Sequence, residues 1–261
     1  MGSTLLKQIP ENRGGSAKME KSNTLKNAAD VFMRESISER YSYNFEWLGR
    51  PIIQYPQDIC ALQELIWTVK PDLIIETGIA HGGSLIFSAS MLALLEMSEA
   101  VLNGEMLDPS KPKRKVLGVD IDIRAHNRKA IEAHPMYPRI EMLEGSSISD
   151  EIFSKVKKVA ANYSKILVVL DSNHTHEHVL SELKLYAPLV SVESYCVVFD
   201  TVVEDLSNDA FPDRPWGVGD NPKTAVWEYL KTHPEFEIDQ AISDKILISV
   251  APDGYLKRTA S

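Results

Sequence analysis

The segment 74–84, IIETGIAHGGS, leads from a short apolar run into a glycine-rich turn and then into an amphipathic stretch. This order predicts a β-strand, a glycine loop and a helix, the place where an open α/β sheet forms its ligand crevice. The glycines permit a sharp turn and a close approach to a bound group, because no Cβ intrudes. The segment therefore predicts a ligand-binding α/β domain.

The spacing of the glycines separates two kinds of ligand. A dinucleotide loop reads G-x-G-x-x-G and seats a pyrophosphate on a helix N-terminus, whereas the loop here reads G-x-x-x-G-G from Gly78 to Gly83. Glu76 precedes this loop and would repel a pyrophosphate, but it suits a cationic ligand with an ammonium group, such as S-adenosylmethionine. His81, inside the loop, either contacts that ligand or faces solvent.

Outward from this segment, short β-branched apolar runs alternate with amphipathic stretches. This pattern is typical of a mostly parallel sheet with helices on both faces, so the predicted fold class is α/β with a Rossmann-like, seven-stranded sheet. Strands are predicted at 73–76, 116–120, 140–144, 166–170, 195–200, 236–238 and 246–250. Helices are predicted at 23–36, 59–69, 84–98, 125–133, 149–162, 176–186 and 224–231.

Three parts of the chain are distinguished by composition. Residues 1–22 are polar, lack the apolar region of a secretory signal and are expected to be a disordered tail. Residues 23–70 are predicted to form a helical cap whose aromatic segment, 41–55, either covers the sheet edge or roofs the ligand pocket. Residues 71–261 form the Rossmann-like domain, in which the long loop 204–223 is expected to be a functional lid.

The overall composition narrows the classes of partner. The 261 residues carry a formal net charge of −9, which argues against a surface that binds nucleic-acid phosphates. No stretch approaches the roughly 20 apolar residues that cross a bilayer, so no membrane partner and a cytoplasmic location are expected. Cys60 and Cys196 lack partners at metal-binding spacing, so we expect buried thiols of a reducing compartment.

Polar residues follow the second and third strands of the predicted sheet. Asp120 closes the second strand, where a carboxylate can accept hydrogen bonds from both hydroxyls of a ribose; Asp122 is the alternative. Gly145, Ser146 and Ser147 follow the third strand and could hold the edge of an adenine. Each of these residues alone is a weak signal, but their order along the chain, one group after each strand, favours a nucleoside-binding site.

Two further strands end in aspartates, Asp171 and Asp200. Adjacent parallel strands would bring both carboxylates to the same edge, where they repel each other unless a proton or a cation lies between them. Oxygen ligands favour Mg²⁺, Mn²⁺ or Ca²⁺ over zinc. A cation there would bind substrate hydroxyls and lower the pKa of the one that attacks.

Three histidines alternate in the segment 171–178, DSNHTHEH. His174 and His178 have the spacing of zinc-protease ligands, but the glutamate does not follow the first histidine as that motif requires. The sequence therefore favours His174 as a general base on an acceptor hydroxyl, a role worth about 10²–10⁴ in rate. His176 and His178 are predicted to be helix-start and packing residues.

Four segments carry a resemblance to a known family. They are IIETGIAHGGSLIFSASML at 74–92, VLGVDIDIRAHNR at 116–128, LDSNHTHEHVLSELKLYAPLV at 170–190, and FPDRPWGVGDNPKTAVWEYL at 211–230. Together they resemble the cephalosporin hydroxylase and rhamnosyl O-methyltransferase family, relatives of the catechol-type O-methyltransferases, from about Tyr41 to Lys257. The resemblance implies a class I methyltransferase fold, S-adenosylmethionine, a divalent cation, and a small-molecule acceptor, a sugar or glycosylated natural product. It also implies a homo-oligomer.

The resemblance assigns roles by position in these motifs. The implied cofactor-binding residues are Glu76, Gly78, His81, Gly82, Ser84, Asp120, Ser146 and Asp171. Asp171 and Asp200 would hold the metal, and His174 stands where catechol-type relatives have a catalytic lysine, so His174 and Asp171 are the catalytic candidates. The cephalosporin branch has Glu-Asp where this chain has Phe199-Asp200-Thr201. Thr201 is therefore predicted as the third ligand, with Glu204, Asp205 or water as alternatives.

Other functional classes remain open on the sequence alone. A nicotinamide-dependent oxidoreductase fits the fold but not the order of the glycines. A cephalosporin-type hydroxylase or methoxylation component follows from the family name, yet the chain shows no facial triad for iron and no flavin signature. A non-catalytic protein with a degenerate pocket is disfavoured, because Asp171, His174 and Asp200 are all present.

Overall fold

A computed structural model describes residues 23–260, so the predicted tail at 1–22 lies outside the described residues. The strands are β1 (Phe45–Trp47), β2 (Arg50–Ile52), β3 (Leu73–Thr77), β4 (Lys115–Asp120), β5 (Ile140–Glu144), β6 (Ile166–Leu170), β7 (Tyr195–Val198), β8 (Phe236–Ile238) and β9 (Tyr255–Arg258). The α-helices are α1 (Asn23–Ser38), α2 (Pro56–Val69), α3 (Gly83–Asn103), α4 (Ala125–Glu132), α5 (Asp150–Ala160), α6 (His176–Tyr186), α7 (Pro222–Leu230) and α8 (Gln240–Ile246).

A seven-stranded sheet has the order β5-β4-β3-β6-β7-β9-β8. Strands β3 to β7 are parallel to one another, and β9 runs antiparallel to both β7 and β8. The strand order reverses beside β3, because β4 and β6 lie on its two sides. Such a reversal leaves a ligand crevice outside the carboxyl ends of the strands. The predicted fold class is confirmed.

Two apolar layers cover the faces of the sheet. Helices α2 and α3 belong to one layer with Ile74, whereas α5, α6 and α7 belong to the other with Ile75. The neighbouring residues Ile74 and Ile75 lie in different layers because successive side chains of a strand point to opposite faces of the sheet. Strands β3 and β6 are buried along their whole length, as expected for central strands of a parallel sheet.

Helix α3 is longer and more apolar than the sequence analysis allowed. An 18-residue stretch of this 21-residue helix has a mean hydropathy of 1.7 and meets the composition of a membrane span, so the prediction that no stretch approaches that length is wrong. Within the protein, however, 56% of this stretch is buried. A core helix of an α/β protein passes the same test, and packing in the first apolar layer accounts for its composition.

The prediction of a strand at 246–250 is wrong. Helix α8 ends at Ile246, and the position between β7 and β8 is filled by β9 instead. Ile246, Ile248 and Val250 pack into the first apolar layer without joining the ladder. Alternating apolar residues indicate burial, and here burial does not involve strand pairing.

Cys60 is exposed, contrary to the prediction, whereas Cys196 is buried in β7 as expected. Helix α2 buries Asp58, Ala61, Leu62, Leu65, Ile66 and Val69, and Cys60 falls outside that stripe. An apolar run on an amphipathic helix cannot be buried as a whole, because only one face meets the core.

A buried carboxylate anchors the cap to the end of the chain. Asp58 on α2 accepts hydrogen bonds from the Ser249 hydroxyl (2.6 Å), the Val250 amide (2.9 Å) and the Tyr255 hydroxyl (2.7 Å). Burial raises the pKa of Asp58 to about 6, although these hydrogen bonds act in the opposite direction. The three donors make burial of the carboxylate tolerable.

We expect Asp58→Asn to lower the free energy of unfolding by about 1–3 kcal/mol, because an amide nitrogen cannot accept and leaves a buried donor unpaired. Urea denaturation at pH 7 measures the change. Glu64→Gln is the matched control, since Glu64 lies on the same helix, is 55% exposed and pairs with Lys245. This control should change stability by less than about 0.5 kcal/mol; equal losses in the two variants would contradict the prediction.

Candidate functional site

The glycine loop between β3 and α3 is held by Asp120 at the end of β4. The Oδ2 atom of Asp120 accepts hydrogen bonds from the amides of Ile79 (2.7 Å) and Ala80 (3.2 Å), and Oδ1 accepts one from the amide of Asp122 (3.1 Å). A carboxylate offers about four lone-pair positions, so Asp120 keeps acceptor capacity for a ribose diol. The side chain of Asp122 is exposed.

Two close approaches explain why this loop is built from glycine. Gly78 has a φ of +90°, and a Cβ there would lie 2.0 Å from the carbonyl oxygen of Asp171. A Cβ on Gly83 would lie 2.2 Å from the carbonyl oxygen of Pro51 in the β1–β2 hairpin. The loop is therefore packed between the end of β6 and the cap, and the aromatic segment roofs this part of the crevice.

Arg50 and Asn127 fix the other side of the loop. Arg50 Nε donates to the carbonyl oxygen of His81 (3.0 Å), and Asn127 Nδ2 donates to that of Ala80 (2.9 Å). The side chain of His81 is half-buried, and Gly82 caps the start of α3 with a left-handed φ of 84°. The sequence analysis missed both Arg50 and Asn127; Asn127 stands out only as a polar residue of α4 that is 3% exposed.

A small acidic cavity lies between the loop, β6 and the cap. The cavity has a volume of about 10 Å³, which is roughly enough for one water. Three carboxyl groups line it, those of Asp58, Glu76 and Asp171; the other lining residues are Ile52, Gln54, Ile59, Leu62, Ser84, Phe87, Val169 and Phe199. Carboxyl groups in such apolar surroundings favour a positively charged partner.

Glu76, near the end of β3 and just before the loop, is almost fully buried. Its side chain is 2% exposed, and the Ser84 hydroxyl donates a hydrogen bond to it. Burial raises the pKa of Glu76 to about 8, while the hydrogen bond from Ser84 acts to lower it. The carboxyl is therefore mostly protonated at pH 7, and a cation beside it would favour the ionised form.

Asp171, His174 and Asp200 converge at the ends of β6 and β7. One ligand atom from each lies within 4.8 Å of the others, and His174 Nε2 is 3.2 Å from Asp200 Oδ2. Burial, and next the neighbouring Asp200 carboxylate, hold the pKa of Asp171 well above its usual range. Gln54, which the sequence analysis did not single out, donates to Asp171 Oδ2 at 3.1 Å. The cluster can hold a proton or a divalent cation.

Thr201 is not brought into this cluster. Asp200 has a left-handed φ of 55°, and the chain turns there into the 3₁₀ helix Thr201–Asp205. Thr201 is fully buried in that turn, and its hydroxyl donates to the carbonyl oxygen of Pro252 at 2.6 Å. His174 takes the third position of the cluster instead.

Glu204 and Asp205, the alternatives to Thr201 as a metal ligand, instead hold the lid, residues 206–221. Glu204 Oε2 accepts from the amide of Gly219 at 2.7 Å, and Asp205 binds the buried Lys223 ammonium at 2.7 and 2.8 Å. The predicted loop 204–223 is therefore shorter than expected, because its ends belong to the 3₁₀ helix and to α7.

The lid places Trp216 against His174. Their ring centroids are 5.2 Å apart, with the rings nearly perpendicular at 88°. Phe211 packs on Trp216 at 4.7 Å, and the Arg214 guanidinium lies 5.8 Å from the Trp216 ring centre. The lid therefore forms an aromatic wall beside the cluster.

The neighbouring histidines of α6 have other partners. His176 Nδ1 lies 2.8 Å from the Thr224 hydroxyl and its Nε2 lies 3.2 Å from Glu228, which links α6 to α7. His178 contacts Ser147, in the loop after β5, at 3.1 Å. The structure thus does not pair His178 with His174 as the zinc alternative requires.

Comparison with known proteins identifies the family. The model of the rhamnosyl O-methyltransferase/CmcI family matches residues 39–259. A rhamnosyl O-methyltransferase of Mycobacterium leprae (strain TN) is 30% identical over 215 residues, 81% of this chain and 82% of the relative. Another, of Mycobacterium bovis (strain BCG / Pasteur 1173P2), is 29% identical over 244 residues, 88% and 89% of the two chains.

A solved CmcI structure with Mg and SAM has the same fold. The two chains are 17% identical, and the aligned region covers 84% of this chain and 78% of the CmcI chain, with a TM-score of 0.54. At that identity the likeness concerns the fold alone, whereas the family follows from the match over residues 39–259. The resemblance inferred from the motifs is confirmed: the chain belongs to the rhamnosyl O-methyltransferase/CmcI family.

Proposed function

We propose that this O-methyltransferase transfers the methyl group of S-adenosylmethionine to a hydroxyl of a small molecule, a sugar or glycosylated natural product, with the help of a divalent cation. The observation that carries the proposal is the convergence of Asp171, His174 and Asp200 within 4.8 Å beside an acidic cavity. The relatives named as rhamnosyl O-methyltransferases support the kind of acceptor.

The cofactor-binding residues surround the glycine loop. Glu76, Gly78 and Ser84 would bind the methionine end, where the buried carboxyl suits an ammonium group. Asp120 would bind the ribose, and Ser146 the adenine; β5 and β4 pair so that Glu144 lies opposite Asp120, which puts the loop after β5 on the same edge. S-adenosylmethionine supplies an electrophilic methyl group. The nicotinamide alternative has no support, because Glu76 would face a pyrophosphate.

The donor set fits a hard divalent cation. Asp171 and Asp200 would supply carboxylate oxygens, which favour Mg²⁺, Mn²⁺ or Ca²⁺, and His174 would stay unliganded beside them. The raised pKa of Asp171 reflects burial and the repulsion that a cation would relieve. Such a cation supplies Lewis acidity toward the acceptor hydroxyl.

His174 is the proposed general base. Its Nε2 atom is 3.2 Å from the Asp200 carboxylate, which would stabilise the imidazolium formed when His174 takes the hydroxyl proton. Trp216 confines the imidazole on one side through the edge contact at 5.2 Å. The aromatic lid also offers an apolar surface that excludes water and suits the C–H face of a sugar ring. Positioning and charge stabilisation would supply most of the rate gain.

We expect methyl transfer to a panel of rhamnosides and other glycosides in the presence of Mg²⁺. A chelator should abolish it and added Mg²⁺ should restore it, because the paired carboxylates need a cation. Radiolabelled methyl incorporation is the measurement. Transfer that survives exhaustive chelation would contradict the metal assignment, and transfer to no glycoside would contradict the acceptor class.

His174→Ala should cut turnover at least about tenfold, because a positioned general base is worth about 10²–10⁴ in rate, while the affinity for S-adenosylhomocysteine stays the same. Steady-state kinetics and calorimetry measure the two quantities. His176→Ala is the matched control, since this neighbour binds Thr224 and Glu228 outside the cluster. Unchanged turnover in His174→Ala would remove its assigned role.

The pKa of Glu76 predicts a pH dependence of cofactor binding. In the free protein the pKa of Glu76 is about 8, and a bound ammonium group would lower it. At a pH between the pKa of the complex and that of the free protein, binding therefore releases a proton from Glu76. Affinity for S-adenosylhomocysteine should therefore rise as the pH increases toward 8. Calorimetry at pH 7 in buffers of different ionisation heat counts the protons released. Glu76→Gln should release fewer protons on binding than the wild-type protein. Equal proton release in the variant and the wild type would contradict the prediction.

A further inference from the structure

Glu182 is a buried carboxylate that the proposed reaction does not use. It lies on α6 with a side chain that is 0% exposed. Its Oε1 atom accepts a hydrogen bond from the Ser172 hydroxyl at 2.7 Å. Within residues 23–260, its Oε2 atom has no hydrogen-bond partner. A buried carboxylate with half of its acceptors unpaired is costly, so its position calls for a reason other than stability.

His178, one helical turn earlier, bridges two loops at the carboxyl edge of the sheet. Its Nε2 atom lies 3.1 Å from the Ser147 hydroxyl, 3.3 Å from the Ser172 hydroxyl and 3.5 Å from Glu182 Oε1. Ser147 follows β5 and Ser172 follows β6. A single imidazole edge and one carboxylate therefore connect the two loops.

Tyr186, one turn further along α6, holds the first of these loops from the same side. Its hydroxyl donates to the carbonyl oxygen of Ser147 at 2.7 Å. Residues 178, 182 and 186 are spaced four apart, which puts them on one face of the helix. This face of α6, His178, Glu182 and Tyr186, is called the bracket below.

The sheet by itself does not fix the two loops relative to each other. Strands β5 and β6 are separated in the sheet by β4 and β3, so they are about 14 Å apart at the usual strand spacing. The bracket closes this gap outside the sheet. Ser146 precedes Ser147, which the bracket binds, and Ser172 is itself bound by the bracket. Both Ser146 and Ser172 remain accessible at the edge of the crevice.

We infer that the bracket positions the loop that carries Ser146, which would hold the adenine, against Ser172 in the loop after β6, an inference that rests on the proposed function. The Ser147 contacts set the loop that carries Ser146, and the Ser172 contacts set the residue that follows Asp171. Glu182, His178 and Tyr186 are positioning residues, since they act through the serines. Loss of the bracket would therefore weaken binding of adenosine and leave the methionine end intact.

Two ligands locate the effect in the adenosine half of the cofactor. 5′-Methylthioadenosine contains the adenosine half without the amino-acid end, and S-adenosylhomocysteine contains both. Calorimetry with the full chain should show that Glu182→Ala weakens both ligands by the same factor, about tenfold for a lost buried hydrogen bond. Glu182→Gln should restore most of the affinity, because its amide oxygen can accept from Ser172.

Matched variants complete the experiment. Glu76→Gln should weaken S-adenosylhomocysteine and leave 5′-methylthioadenosine unchanged, since Glu76 faces the methionine end. Glu228→Ala should change neither, although Glu228 also pairs with a histidine of α6 at 3.2 Å. Tyr186→Phe keeps the packed ring and removes only the hydroxyl bound to Ser147, so it tests the bracket if Glu182→Ala does not fold.

Equal weakening of both ligands with rescue by glutamine supports the inference. Unchanged binding of 5′-methylthioadenosine in folded Glu182→Ala and Tyr186→Phe would overturn it, as would weakening of S-adenosylhomocysteine alone. Wild-type protein that binds neither ligand would overturn the proposed function and the bracket with it.

Discussion

Repulsion between carboxyl groups at one edge of the sheet is the constraint on which the rest of the site depends. Burial raises the pKa of Asp171, and Asp200, Glu76, Glu182 and Asp58 raise it further in that order. These acids come from β3, β6, the end of β7 and two helices. A fold that gathers so many acidic groups in apolar surroundings is suited to ligands that bring positive charge, an ammonium group and a hard cation.

The cap takes part in this arrangement and is more than a cover for the sheet edge. Its hairpin crosses the glycine loop so closely that Gly83 has no room for a side chain, and Gln54 reaches from the cap to Asp171. Asp58 ties α2 to the residues before β9. The cap that lines the cavity is therefore held in place by a segment near the other end of the described chain, and the cavity's shape depends on both.

Helices α6 and α7 provide the complementary side of the crevice. Helix α6 holds the loops after β5 and β6 through His178 and Glu182, while the lid that precedes α7 brings Trp216 to His174. One side of α6 thus serves the cofactor loops, and its start lies beside the reacting groups. In the proposed function, this division would put cofactor binding and acceptor recognition on two different surfaces.

The sequence alone determined strands β3 to β8, the helices between them, the glycine loop and the strand-end acids, because periodicity and turn residues are local properties of the chain. It did not determine the β1–β2 hairpin, helix α8, strand β9, the exposure of Cys60 or the position of Thr201, since each depends on which face or turn meets the core. Only the tertiary structure decided that Arg50, Gln54, Glu182 and Trp216 belong to the site. Their partners are distant in sequence, and such contacts arise only when packing brings separate segments together.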